Sequence, residues 1–405
     1  MLRQVCELIP THLVAKLARE TRVEAKCRSF SAWSHVVALV QAQLSHALSL
    51  NDVCDALGLW RTPLRAIRGA TAPSRNALSH ANRERNWELA ERLFWSVHER
   101  LHAEFPRFAA GQRPAFAWRF RRPIHLVDAT VIPLVVNCLS WAKHRRRKAA
   151  AKCHVRLGLR TLLPNFAVVD AASEHESTRA RELCAGLQDG EIAVFDKGYV
   201  DFELLHDLHG RGVFFVTRAK ETQRYRVVRR RPATEDERIV ADERIKLEVP
   251  NSQQKYPTAL RLVTARVELD GEVRELRFLT NNLEWQAGSI ADLYRSRWQI
   301  EAFFKQIKQN LQLADFLGHN ANAVKWQVWI ALLVYLLLRF IAWQNQWSFS
   351  FSRLLTMLRA ALWMPRRLAE LLRKCGTAAG HFQWLDGPVQ SEFPEILHST
   401  VGQPT

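Results

Sequence analysis

Cysteine is used sparingly here and without pattern. The seven cysteines (Cys6, Cys27, Cys54, Cys138, Cys153, Cys184 and Cys375) are odd in number, form no C-x-x-C motif and join no Cys/His cluster. That argues against structural zinc and a disulfide scaffold, and fits reduced thiols. Long hydrophobic runs are missing too. The most apolar stretch, WQVWIALLVYLLL at 326–338, has thirteen uncharged residues between Lys325 and Arg339. A membrane span needs about 20, so this segment reads as a buried helix. Charges are scattered through MLRQVCELIPTHLVAKLARE, leaving no apolar signal core, and a cytosolic protein is expected. Acid is the third scarcity: 40 Asp+Glu face 58 Lys+Arg across 405 residues, a net charge of +18. Such an excess favours a polyanionic partner, and with the membrane reading weakened, nucleic acid is the expected one. No internal repeat is found.

What is present divides along the chain. Residues 1–115 read as a helical, basic region. FSAWSHVVALVQAQLSHALSLNDVCDAL spaces apolar residues by three and four, and Ser49 with Asp52 resembles a capping box ahead of Leu50. TAPSRNALSHANRERNWELAERLFWSVHERL follows helically. Arg75, Asn76, Ser79 and Arg83 could belong to a helix-turn-helix reader or to a basic bundle. From 123 the period shortens: PIHLVDATVIPLVV, CHVRLGLRT, NFAVVDAAS, EIAVFDKGY and RGVFFVTRAK are strand-like, with STRARELCAGL helical between. This predicts an α/β sheet covered on both faces over 116–220. Residues 221–285 alternate apolar and polar, with Asp270 and Gly271 as a hairpin turn signal, and read as a β-rich insertion. Helices resume over 286–345, where Ser289 and Asp292 make a plausible capping box, and 346–405 reads as a helical region with a looser tail.

YRSRWQIEAFFKQIK, residues 294–308, has one acid among four cations. At about 100° per residue on one continuous helix, Tyr294, Arg297, Glu301 and Lys308 share an arc of roughly 60°, flanked by Lys305 and Trp298. Ile300, Phe303, Phe304 and Ile307 take the neighbouring, core-facing arc. Glu301 and Lys305 could simply be an i,i+4 surface pair. A carboxylate holding Mg²⁺ beside a phosphate backbone accounts better for so much surrounding positive charge. Such an ion needs other oxygen ligands. Asp128 interrupts the apolar strand IHLVDATVI, and Asp196 ends the buried-type strand of IAVFDKGYVDFELL, where it could alternatively cap a helix. Asp170 is a rival for the second position. A meander would put its strand two strands from Asp128, about 10 Å away, whereas a strand entering after the helix can lie directly beside it.

Y-x2-R-x3-E-x6-K is matched by Tyr294, Arg297, Glu301 and Lys308, and LVDATVIPL and VFDKGYVDF stand before it in order. These blocks resemble the signature of DDE transposases of the insertion sequence four family, over roughly residues 25–345. Lys197 stands where arginine is commoner. The resemblance implies an RNase H-like catalytic core with a β-rich insertion, preceded by an all-helical N-terminal domain. It implies Asp128 on the first strand, Asp196 after the fourth and Glu301 on a later helix as catalytic and metal-binding residues, with two Mg²⁺ ions, or Mn²⁺ as substitute.

It also implies DNA as partner, both terminal inverted repeats and target, and a homodimer in the synaptic complex. The site of action would be the bacterial nucleoid. Arg297 and Lys308 are expected to hold phosphates, as is the Tyr294 hydroxyl unless the ring merely packs. Trp298 would stack on a strand end or distorted base, or belong to the core. The run KHRRRKAAAKCHVRLGLR at 143–160 has eight cations and no acid, making Lys143, Arg145, Arg146 and Arg147 candidate backbone contacts. His154 and His175 are expected to be structural. Two other classes compete with the transposase: a non-catalytic occupant of DNA ends, and a repair or junction nuclease without strand transfer.

Overall fold

The computed structural model describes residues 1–23, 30–111, 115–134, 143–145, 148–171, 176–232, 235–269, 272–311, 313 and 316–374. Contacts divide the chain into two compact units, one of residues 1–112, 132–151 and 304–405, the other of 113–131 and 152–303.

The first unit is helical at its centre. Helix Ala321–Gln344 contains the apolar run noted above, and its most apolar window is wholly buried, as expected of a core helix. Asn320 caps it by accepting from the Ala323 amide at 2.8 Å. Helices Ala32–Ser45 and Glu88–Glu104 pack along it. Two side chains tie the joint: Trp326 donates its indole N–H to the Arg85 carbonyl (2.7 Å), and Asn322 donates to the Asn82 and Arg85 carbonyls (2.9 and 2.7 Å). Ser49 and Asp52 form the reciprocal capping box at helix Leu50–Leu59. Helix Arg75–Glu84 is capped by Ser74, and it exposes Arg75, Asn76 and Arg83, with Ser79 half-buried.

The strands in chain order are β1 (Ile124–Leu134), β2 (Lys143–Arg145, among the first unit's residues), β3 (Lys148–Gly158), β4 (Pro164–Ala171), β5 (Ile192–Phe195), β6 (Phe214–Arg218), β7 (Tyr225–Arg230), β8 (Ile239–Leu247), β9 (Leu260–Leu269) and β10 (Glu272–Thr280), and the second unit is built on the sheet they form. Through this unit the order runs β4-β3-β1-β5-β6-β10-β9-β8-β7. β1, β5 and β6 are parallel, with Ile124 opposite Ile192 and Val127 opposite Phe195. Side chains alternate between faces. On one face Val127, Ala193, Phe195 and Phe215 meet the apolar sides of helices Glu176–Ala185 and Phe202–Gly210. Helix Ala287–Arg295 packs on β5, β6, β9 and β10.

The β-rich segment continues this sheet rather than standing apart from it. β10 pairs antiparallel with β6 through Phe278 opposite Arg218, and β9, β8 and β7 follow antiparallel. Leu269 pairs with Glu272, as a hairpin requires; the expected turn residues Asp270 and Gly271 lie outside the described residues. A buried ion pair fastens the extension: Arg261 on β9 donates to both carboxylate oxygens of Asp242 on β8, at 2.8 and 2.7 Å.

Two expectations about the end of this unit need correction. Residues 294–308 are not one helix; one helix ends at Arg295 and the next begins at Trp298. The Ser296 hydroxyl donates to the Leu293 carbonyl at 2.6 Å; the Ser296 amide is shared between the Asp292 and Leu293 carbonyls, and the Arg297 amide reaches back only three residues, to Tyr294. A serine side chain competing for a carbonyl and a tightened turn together break the helical ladder. Nor does Ser289 cap the helix, which begins earlier with Gln286 as N-cap. Ser289 instead accepts from Arg119 at 2.8 Å, and Asp292 pairs with Arg238 at 2.9 Å.

Candidate active site

Asp128 and Asp196 each follow one residue after the paired Val127 and Phe195. Asp128 lies on β1 and Asp196 directly after the end of β5, the adjacent parallel strand, so the register brings them side by side where strand backbones lie about 4.8 Å apart. Asp170 sits on β4, which β3 separates from β1, and it is paired with Arg179 at 2.7 Å. The strand geometry thus separates the rivals as expected. Asp196 stands at the start of the 3₁₀ turn Lys197–Tyr199 but makes no side-chain capping bond there.

The turn between the two helices brings in the third acid. Arg297, whose side chain is 14% exposed, donates from Nη1 to Asp128 Oδ2 at 2.8 Å and from Nη2 to Glu301 Oε1 at 2.6 Å. One guanidinium therefore spans carboxylates 173 residues apart in sequence (301 minus 128). Tyr294 donates its hydroxyl to Asp196 Oδ1 at 3.0 Å, with its ring against Phe278 at 4.8 Å. The Arg297 guanidinium lies 5.7 Å from the centre of that ring, within cation–π range. Glu301 thus spends its ion pair on Arg297 one turn back, rather than on Lys305 one turn ahead.

Charge in this corner is strongly perturbed. Burial pushes the Asp128 carboxyl up to about 6; Arg297 and the Ala129 amide oppose the rise, and Asp196 and Glu301 add to it. The Tyr294 hydroxyl is raised by burial and then by the Asp196 charge. Burial works against the Arg297 cation, but Tyr294 and the three acids around it carry its pKa upward overall. A desolvated acid paired with a buried cation, with two further carboxylates beside them, marks a functional-site candidate.

The donor set suits a hard divalent ion, since all three acids offer oxygens. Asp128 resists ionising where it is buried, so a cation beside it would be favourable. Among the described residues, no three His, Cys, Asp or Glu side chains are gathered closely enough to hold one ion; here Arg297 bridges Asp128 and Glu301, and Tyr294 bonds Asp196.

Known proteins resemble the chain in the same region. Residues 119–337, more than half of it, match the Transposase DDE domain, and residues 1–66 match a domain of unknown function (DUF4372). The transposase candidate y4zB of Sinorhizobium fredii is 32% identical over 280 residues, 68% of this chain and 77% of its own. Transposase InsG of insertion sequence element IS4 from Escherichia coli K12 is 28% identical, over 55% of this chain and 53% of its own. The chain belongs to the DDE transposases of the insertion sequence four family. Their reaction is transposition by DNA cleavage and strand transfer, and the domain depends in general on a divalent metal. Among solved structures, a piggyBac transposase synaptic complex with hairpin DNA aligns at a TM-score of 0.44 and 11% identity, over 99% of this chain and 84% of that one.

The remaining expected residues of the transposase are distributed unevenly. Trp298 is 55% exposed, so it is not a core residue. Beside it a cleft of about 490 Å³ is lined by Phe116, Val267, Leu276, Phe278 and Tyr294, which no periodicity in the sequence announced. Lys305 is exposed and Lys308 half-buried on helix Trp298–Asn310, while Ile300, Phe303, Phe304 and Ile307 are buried as expected. Lys143 and Arg145 lie on β2; Arg146, Arg147 and His175 fall outside the described residues. The later part of that basic run turns inward: Lys152, His154 and Arg156 are buried. Arg156 donates to the Leu183 carbonyl at 2.9 Å, and the His154 ring meets the Tyr199 hydroxyl at 3.3 Å. These are structural roles, since β3 is buried on both faces: Cys153, Val155 and Leu157 between them are inaccessible too.

Proposed function

We propose that Asp128, Asp196 and Glu301 are the catalytic and metal-binding acids of this transposase, on an RNase H-like core. The observation that carries the reading is that Arg297 and Tyr294 together touch all three, although the acids come from β1, the end of β5 and a helix beyond the β-rich extension. The strand order β4-β3-β1-β5-β6 supports the core: a three-strand meander with two further strands parallel to its first.

Two Mg²⁺ ions, with Mn²⁺ as substitute, would supply charge neutralisation at the attacking and leaving oxygens of an in-line phosphodiester displacement. The protein's own groups do the rest. Asp128 and Asp196, neighbours on the sheet, give fixed oxygens; Glu301 adds a third from the helix. Arg297 is a planar fork suited to two phosphate oxygens. Trp298, exposed at a cleft whose lining mixes aromatic and apolar side chains with Glu268, Asp292 and Arg295, offers a face for a base displaced from the stack. Lys305, Lys308, Lys143, Arg145, Arg146 and Arg147 extend the phosphate contacts. Hydrolysis frees a 3′-hydroxyl, which the same acids then serve as nucleophile in strand transfer. Partners are the terminal inverted repeats, target DNA and a second copy of the chain, acting at the nucleoid.

Incubation with transposon-end DNA and Mg²⁺ tests this. Cutting and joining are expected from the unaltered chain. Binding without cutting would favour a protein that only occupies ends, and cutting without joined product would favour a nuclease.

A further inference from the structure

Arg297 holds the two oxygens, Asp128 Oδ2 and Glu301 Oε1, that an ion shared by those residues would most directly use. The other Asp128 oxygen accepts the Ala129 amide at 2.8 Å, so both of its oxygens are engaged within the protein. A guanidinium and a divalent ion cannot occupy the same side of these carboxylates at once. Arg297 is also largely buried, and withdrawing it from both acids without a new anion would leave a desolvated cation uncompensated. A phosphodiester offers two oxygens that the fork can bind in the acids' place.

We propose that Arg297 couples metal binding to DNA binding: it competes with the divalent ion for Asp128 and Glu301, and a DNA phosphate, by taking the guanidinium, opens those acids to metal. The inference rests on the metal-site reading above and adds its regulation. The coupling is reciprocal, so metal must tighten the hold on DNA by the same factor that DNA tightens the hold on metal. Its consequence is a site that assembles where the scissile strand lies and stays internally neutralised elsewhere.

The test follows free Mn²⁺ by electron paramagnetic resonance in titrations of the full chain. Each is made alone and with a pre-cut transposon end bearing a 3′-dideoxy terminus, which binds without reacting, after subtraction of the duplex blank. Without DNA, Arg297→Gln should bind Mn²⁺ more tightly than the unaltered chain by a factor between about 5 and 150, the usual span of such couplings. DNA should tighten Mn²⁺ binding by the unaltered chain by a similar factor, and by Arg297→Gln much less. Asp128→Asn combined with Arg297→Gln should lose that ion.

If an ion that depends on Asp128 binds Arg297→Gln no more tightly than the unaltered chain, the coupling is overturned and the metal site stands. If no Asp128-dependent ion binds in any state, the metal site itself is wrong. Arg297→Lys, which keeps the charge but cannot fork, serves if the glutamine variant fails to fold. It should show intermediate tightening, and affinity equal to that of the unaltered chain would again overturn the proposal.

Discussion

The hydroxyl of Tyr294 rests 3.0 Å from Asp196 Oδ1, across 98 residues of chain. A phenol and a carboxylate so placed do two things. They close the bottom of β5 against the helix Ala287–Arg295, and they hold Asp196 by a bond that a phosphate contact for Tyr294 would have to replace. The ring packs on Phe278, so packing and polar contact belong to the same side chain.

Replacing any of the three acids separates chemistry from binding. Asp128→Ala, Asp196→Ala and Glu301→Ala should each abolish end cleavage while mobility-shift binding of end DNA persists. Normal cutting by Glu301→Ala would remove that residue from the site.

Trp298 should matter to DNA and little to the fold. At 55% exposure, Trp298→Ala is expected to shift unfolding by no more than about 0.5 kcal/mol. Loss of one stacked base, worth about 1–3 kcal/mol, should weaken binding of a distorted or unpaired end by roughly 5- to 150-fold. Trp298→Phe should restore much of it. Equal affinities of the alanine and phenylalanine variants for such an end would exclude stacking.

The pair Arg261–Asp242 should anchor the β-rich extension. Both side chains are nearly inaccessible, 2% and 8% exposed. Asp242→Ala leaves the Arg261 cation buried with the Trp285 carbonyl as an acceptor, and should destabilise by about 3–5 kcal/mol in urea unfolding. Replacing both with apolar residues of similar volume should cost much less, because the desolvation of two charges disappears with them.

The helical unit should weaken in acid through His35. This ring is fully buried, its Nε2–H donating to Asn82 Oδ1 at 2.8 Å, and burial, with Arg85 adding, lowers its pKa to about 3. The unfolded chain takes the proton near 6.5 and the folded one only near 3, so the unfolded state binds more protons between these values. Stability is therefore full above about 6.5 and falls as pH drops toward 3, by about 2 kcal/mol at pH 5. Thermal unfolding from pH 7.5 to 4 should show this slope, and His35→Gln should reduce it, leaving the part that His98, also lowered to about 3 by burial, contributes. An unchanged slope in that variant would assign the acid sensitivity elsewhere.

Much of this was legible before any coordinates. The apolar run of 326–338 could only be a buried helix once its length fell short of a membrane span, and the Ser49–Asp52 box follows from local hydrogen-bond chemistry. The spacing of Tyr294, Arg297, Glu301 and Lys308, behind two aspartate blocks, pointed to the family. These features were readable because each depends on residues close in sequence.

Which groups meet was settled only by the fold. Parallel pairing of β1 with β5 set Asp128 beside Asp196 and left Asp170 to Arg179. The break at Ser296 and Arg297 turned a supposed single stripe into two helices, and the guanidinium between them reached Asp128 and Glu301 together. Helical periodicity cannot foresee a serine hydroxyl taking a carbonyl, and no local pattern encodes which strand enters next to another. The contact of Arg297 with Asp128 joins partners 169 residues apart, brought together only by packing of the whole sheet.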